Sequence, residues 1–542
     1  MMRFFSIVAA VIPAILGLAV GQEQDLSLDR LHAEPSLAGP ALRAPAISPD
    51  GKMVTLLKGR DNDARQLDLW AYDLASGTSS VLVSSTDLLA GPEKLSQEEK
   101  NRRERQRIYE NGIIAYQWDT AGEALLFPLG GDVYLYNLAE KQAVRVTQTE
   151  GFETDPKISP LGRYVSYVRE DELYIYDRQK SREKKLTKGA GEFIRNATSE
   201  FVAQEELDRD TGYWWSPDET KIAYLQIDES PLAIAERLDF SADGVTTISQ
   251  RYPFAGTDNV RIKVGIVKPK NRRTKWVDLG ANKDIYVADI YWSTNSEVLY
   301  ITRLSRDQKT LDLLAVNPKT GQSAVLLTES SKTWVNLNKS FRALADGGFI
   351  WGSERDGFHH LYRYRADGKL HSKLSEGLQQ VNDLSCFNEA TGALFVTGWQ
   401  ETPLTRDIFQ LSLTGEDVVK IPARGEGRTS AAFATDCSAY IGSYSSENQP
   451  KSVAAYDATG TQLMWLLENN LDQDHPYYPY LGSHQPWVFG QIETDDGAKL
   501  DYQMLKPADI KRGEKRPAII LVYGGPHAQL VHKGWRKAFD QM

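Results

Sequence analysis

Cysteine is nearly absent: 542 residues contain two, Cys386 and Cys437. That count excludes a disulfide-framework fold and leaves the pair as either one bridge or two buried thiols. A surplus of positive charge is missing too. Lys and Arg number 63 against 73 Asp and Glu, for a net charge of −10, which argues against a general nucleic-acid binder and mildly favours cationic ligands. After the first twenty residues no apolar run is long enough to cross a bilayer as a helix. Zinc-ligand spacing is lacking as well, since His359 and His360 are adjacent with no partner pair, and no cofactor is implied.

What remains is an ordinary globular composition, 41% hydrophobic, 10% aromatic and 25% charged. The length calls for two or more domains. At the N-terminus Arg3 precedes an apolar run, Phe4 to Val20, with small residues Ala19 and Gly21. This reads as a secretory signal over residues 1–21, the alternative being an uncleaved membrane anchor. In both cases the body is expected to be exported, to a periplasmic or extracellular location.

Between residues 47 and 460 one pattern recurs: a strand, a Ser-Pro-Asp-Gly-like turn, a second strand, then a third ending near Asp or Asn. The copies begin at Ile47-Ser48-Pro49-Asp50-Gly51, Tyr116 to Gly122, Ile158-Ser159-Pro160-Leu161-Gly162, Trp215-Ser216-Pro217-Asp218 and Tyr291 to Ser296. Looser ones cover Ala343 to Trp351, Cys386 to Thr397 and Thr435 to Ser443. Pro presets φ, Asp bonds its own backbone and Gly accepts positive φ. Eight such units predict a mainly β fold, an eight-bladed β-propeller over residues 22–465. Three segments exceed the repeat. One is a charged helix between Leu95 and Asn111, with Ser96 and Glu99 in capping-box spacing. Another is a helix over Ser199 to Asp210, capped by Thr198 or Ser199 and carrying Glu205 and Glu206. The third is a long hairpin around Arg251 to Gly256.

From residue 466 the texture changes. Asp474 to Tyr480 has two prolines and no apolar period and reads as a linker. Trp487 to Thr494 and Lys499 to Lys506 read as strands around Asp495-Asp496-Gly497. Pro517 to Tyr523 is a continuous apolar run that suits a buried strand.

Three segments, in this order on such a repeat, carry a resemblance: Phe201 to Glu206 with Gly212 to Pro217, Tyr252-Pro253-Phe254-Ala255-Gly256, and Val522-Tyr523-Gly524-Gly525-Pro526. Together they resemble the dipeptidyl peptidase IV family of the prolyl oligopeptidase class of serine peptidases. The resemblance implies a propeller followed by the first strands of an α/β-hydrolase domain, here over residues 466–542. It also implies release of N-terminal Xaa-Pro or Xaa-Ala dipeptides from peptides with a free N-terminus. Glu205 and Glu206 would hold the substrate's α-ammonium. Tyr523 would stabilise the oxyanion, and one arginine among Arg102, Arg103, Arg105 and Arg107, with Arg107 preferred, would meet a substrate carbonyl. Without the family, a solvated acidic helix face is the simpler reading of the two glutamates.

The chain departs from that pattern at the nucleophile. No G-x-S-x-G elbow occurs; Ser443 lacks the second Gly, and His484, His527 and His532 do not occupy the family's catalytic position. The expectation is therefore the N-terminal part of such a peptidase, inactive by itself, with a homodimer expected only of the full-length protein. The rival expectation is a non-catalytic propeller that binds peptide N-termini or other proteins.

Overall fold

The Ser-Pro-Asp turns close as their composition requires. Ser48 Oγ donates to Asp50 Oδ1 (2.7 Å) and accepts from the backbone N–H of Lys52 (3.1 Å) and Met53 (3.0 Å), while Gly51 takes φ 69°. Ser216 repeats the arrangement with Asp218, and Ser293 with Asn295. Each turn folds one strand back onto the next. In the computed structural model this yields, among the described residues, eight antiparallel meanders with a four-stranded path in chain order: Arg43–Val83, Gln117–Arg145, Thr154–Lys185, Ile194–Trp276, Ile285–Ser330, Arg342–Lys373, Gln380–Lys420 and Arg428–Leu467, the first and fourth each carrying one short extra strand, Asn111–Gly112 and Tyr213–Trp215. These are blades 1 to 8 of a β-propeller, one per sequence repeat. The structure describes residues 25–542 apart from 90, 92, 94, 96–99, 101, 102, 104–106, 150, 242, 243, 423, 526 and 527. The signal segment and the Ser96–Glu99 capping box lie outside the described residues.

Blades are apolar on both faces because each packs between two others. In blade 2, Leu125 and Phe127 join a cluster with Leu57, Leu67 and Leu69 of blade 1, while Ala124 and Leu126 face Val165 and Tyr167 of blade 3. Successive strand residues point to opposite sides, so burial on both sides gives continuous apolar runs rather than strict alternation. The ring closes by the same means: Ile47 and Val54 of blade 1 pack with Ala439, Ile441 and Val453 of blade 8. Between blades 7 and 8 the two thiols are joined, Cys386 to Cys437, with Cα atoms 6.0 Å apart. That decides the question the sequence left open.

Two compact units are distinguishable. Among the described residues, one comprises 41–444 and 452–468, the other 25–40, 445–451 and 469–542. In the second, Ser27 caps a short helix, Leu28–His32, and Trp487–Glu493 pairs with Lys499–Leu505 as the expected hairpin. Two expectations fail here. The stretch read as a linker is core: Tyr477 and Tyr480 are buried with Leu37, and burial pushes the Tyr477 phenol up to about 12. Aromatic anchors on irregular chain need no period, so the pattern was invisible. Pro517 to Tyr523 is not a buried strand but extended chain in solvent, with Ile519 98% exposed. No described residue pairs with its backbone or covers its side chains, and an apolar run is buried only where a partner surface meets it.

Blade 3 breaks the turn rule and is repaired by its neighbour. Leu161 stands where the turns of blades 1, 4, 5, 6 and 8 have Asp or Asn and is exposed. Glu219, from the blade 4 turn, supplies the missing carboxylate. It accepts from Ser159 Oγ and from the N–H of Leu161 (2.7 Å) and Arg163 (3.3 Å). Glu219 occupies the position of Gly51 at φ 55°, a conformation that a side chain tolerates poorly. The carboxylate's bonds across the blades outweigh that strain. Glu219→Ala is expected to destabilise the fold by about 1–3 kcal/mol, and Leu161→Asp in the same chain to restore most of it. Urea unfolding of the two single variants and the double variant measures this coupling.

Candidate functional site

The chain from Thr198 to Thr211 leaves blade 4 and returns to it, the two threonines pairing as an isolated bridge. Within this loop the helix covers Phe201–Glu206, shorter at both ends than the Ser199–Asp210 expected. Glu200 is the N-cap residue and makes no side-chain cap bond; Ser199 Oγ instead donates to the carbonyl of Arg209 (2.6 Å). Asp208 ends the helix by turning to φ 51°, and the N–H groups of Leu207 and Arg209 return to the Ala203 carbonyl (3.3 and 3.0 Å). A helix this short has little stability of its own. Ala203 and Leu207, four residues apart, bury one face against Tyr286, Tyr300 and Phe341.

Glu205 and Glu206 are the last two residues of that helix, exposed, and neither side chain makes a hydrogen bond or ion pair with a described residue. Adjacent helix positions diverge by about 100°, so a shared ligand requires a helix end, which is where they stand. Acids at a helix C-terminus oppose the dipole preference. Helix stability therefore does not account for them, while a cation is favoured there. Phe201 meets Tyr252 edge-on (ring centroids 5.2 Å apart), and Tyr252 meets Phe254 (4.9 Å). The Tyr252–Gly256 segment, at the end of the hairpin Ala233–Ser241 and Gly244–Tyr252, thus touches the acidic helix.

The remaining candidates are scattered. Arg107 is exposed at φ 54° and makes no hydrogen bond or ion pair to Glu205 or Glu206. Arg103 is structural, its guanidinium buried against Glu93 (2.8 Å). Arg102 and Arg105 lie outside the described residues. Tyr523 is 56% exposed on the extended 517–523 segment, its ring folded over Gly525, where a Cβ would meet ring atoms at 3.0 Å. Ser443 pairs with Ser430 (Oγ to Oγ 2.7 Å) in blade 8. No metal cluster occurs among the described residues.

Residues 120–451 match the family described as Dipeptidyl peptidase IV (DPP IV) N-terminal region. The chain belongs to this family. It is 23% identical over 541 residues to human dipeptidyl peptidase 8, covering 81% of this chain and 60% of that protein. To dipeptidyl peptidase 4 of Arthroderma otae it is 22% identical, covering 70% and 51%. The chain thus spans between half and three-fifths of the length of these curated relatives. The crystal structure of Porphyromonas gingivalis dipeptidyl peptidase 4 shares the fold, with TM-score 0.77 and 24% identity over 92% of this chain and 69% of that one.

In this member of the DPP IV family, sequence reading missed what holds the acidic helix. Glu200 and Arg209 form an ion pair (2.9 Å) with side chains only 2% and 3% exposed. Below it, Lys157 sits over the Tyr213 ring (3.9 Å), donates to the Tyr213 carbonyl (2.7 Å) and pairs with Asp155 (3.3 Å), which accepts from Thr211 Oγ1 (2.6 Å). Burial pushes Asp155 up and Lys157 down. The only sequence hint was a charged residue at each edge of the Thr198–Thr211 stretch.

His359 and His360, excluded as zinc ligands, are buried, and burial holds both below the ordinary imidazole value. His359 Nδ1–H donates to the Val381 carbonyl (2.9 Å), and its buried Nε2 has no hydrogen-bond partner, so the fold holds the neutral ring. Its contribution is complete above the unfolded value of about 6.5 and is lost as pH falls through and below it. Carboxylates raised by burial, Glu153 and Glu229 among them, act in the opposite sense. The stability difference between the native chain and His359→Leu is therefore expected to narrow from pH 7.5 to 5.5, as read from urea midpoints.

Proposed function

We propose that this chain is the N-terminus-reading part of an exported serine-type dipeptidyl peptidase. Glu205 and Glu206 receive the α-ammonium of a peptide, Arg107 a substrate carbonyl and Tyr523 the oxyanion. The carrying observation is the pair of exposed, unpartnered carboxylates at the end of a helix braced by the Glu200–Arg209 ion pair. An ammonium offers three donors and one charge, and a charge-assisted hydrogen bond contributes about 1.5–3 kcal/mol. A clamp of that kind measures distance from the chain end, which is what an exopeptidase requires. Dipeptidyl peptidase relatives support the reaction class, with Xaa-Pro and Xaa-Ala dipeptides as the proposed products. The Cys386–Cys437 bridge supports export, because such bonds persist in oxidising compartments.

The reading assigns no nucleophile, general base or orienting acid to residues 1–542. A second reading is a propeller that binds peptide N-termini or protein partners without chemistry, since two carboxylates bind an ammonium without any nucleophile. In both readings the 542-residue chain does not turn over Gly-Pro or Ala-Pro chromogenic substrates, and turnover that persists through purification refutes the assignment. Calorimetric titration with an Ala-Pro-containing tetrapeptide tests the clamp. The free-amine peptide is expected to bind about 10–100-fold more tightly than its N-acetylated form. Glu205→Gln and Glu206→Gln should each remove most of that difference while leaving the acetylated peptide unchanged. Equal affinity for the two peptides in the native chain would mean that the acids are a solvated face.

A further inference from the structure

We propose that the buried Glu200–Arg209 pair is a positioning pair, which sets the direction in which Glu205 and Glu206 are presented and so the discrimination between free and blocked peptide N-termini. The inference rests on the clamp reading given above.

The geometry is that of a braced neck. Glu200 immediately precedes the helix and Arg209 follows it by three residues, so their ion pair (2.9 Å) spans the helix from end to end. Arg209 is fixed on every side. Its guanidinium donates to Thr211 O (2.6 Å) and faces the Trp214 ring (5.9 Å), its N–H bonds to Ala203 O (3.0 Å), and its carbonyl takes the Ser199 hydroxyl (2.6 Å). Rotating the helix about its axis would draw Glu200 and Arg209 apart. The apolar contacts of Ala203 and Leu207 resist lifting of the helix but define its rotation weakly, since hydrophobic attraction is non-directional. A directed bond between two charges defines it tightly.

Stability does not explain the pair. Glu200 Oε1 and Arg209 Nε are buried without hydrogen-bond partners, so the desolvation of two charges is only partly offset. Well-packed apolar residues at such a site are commonly as stable or more so. A pair kept at that cost, one helix turn from two exposed acids, points to orientation rather than to adhesion.

The test separates the two roles in the full 542-residue chain. Glu200→Leu with Arg209→Met replaces the pair by apolar volume, and Arg209→Lys keeps the charge. For the double variant the urea midpoint is expected to stay at or above that of the native chain. Its preference for the free-amine tetrapeptide over the N-acetylated one should fall at least tenfold, with amide exchange of residues 201–207 accelerated. Arg209→Lys should retain most of the preference. A stable double variant that keeps the native preference overturns the proposal and leaves the clamp intact. A double variant that loses stability together with binding of both peptides also overturns it, because the pair is then a structural bond. If the native chain itself shows no preference, the clamp reading fails and this proposal falls with it.

Discussion

Everything in the larger unit depends on apolar packing of blade against blade. A four-stranded meander standing alone would expose both of its hydrophobic faces. Here each blade covers its neighbour, and the circuit is complete only because Ile47 and Val54 of the first blade meet Ala439 and Ile441 of the last. This explains why buried runs such as Phe349–Ser353 are continuous, and why loops can be lengthened without disturbing the sheets. Inserted segments pay no packing penalty so long as they leave the blade faces covered. The 198–211 loop and the Ala233–Tyr252 hairpin are both insertions of that kind, and both come from blade 4.

A quarter of the residues are charged, and some of these side chains are paired away from solvent. Within the propeller, buried ionic groups sit at turns, loop necks and inner strands: Arg103 with Glu93, Arg209 with Glu200, Lys157 with Asp155, and Glu219 across the blade 3 and 4 turns. In each, a directional bond fixes what hydrophobic attraction leaves free. Glu205 and Glu206 stand apart from these pairs, exposed and with no side-chain hydrogen bond or ion pair to a described residue.

The length of the acidic helix shows how local preference yields to context. Acids and an Ser-Glu start suggested a twelve-residue helix. Pairing of Thr198 with Thr211 and the left-handed turn at Asp208 cut it to six. The shortening is what places Glu205 and Glu206 at a helix end.

By itself, the sequence determined the repeat. Turn chemistry is local: Ser, Pro, Asp and Gly act on their own backbone, so eight turns were countable, and with them eight blades and the family motifs. The two glutamates and Tyr523 were visible for the same reason, as residues within short contiguous motifs. Only the tertiary structure decided what depends on residues far apart in the chain. It joined Cys386 to Cys437 across 51 positions, and it let Glu219 serve the turn in which Leu161 replaces Asp. It turned the Tyr477–Tyr480 stretch from linker to core and left Pro517–Tyr523 uncovered. Burial, ion pairing and register between segments are properties of the assembled fold, and no local pattern carries them.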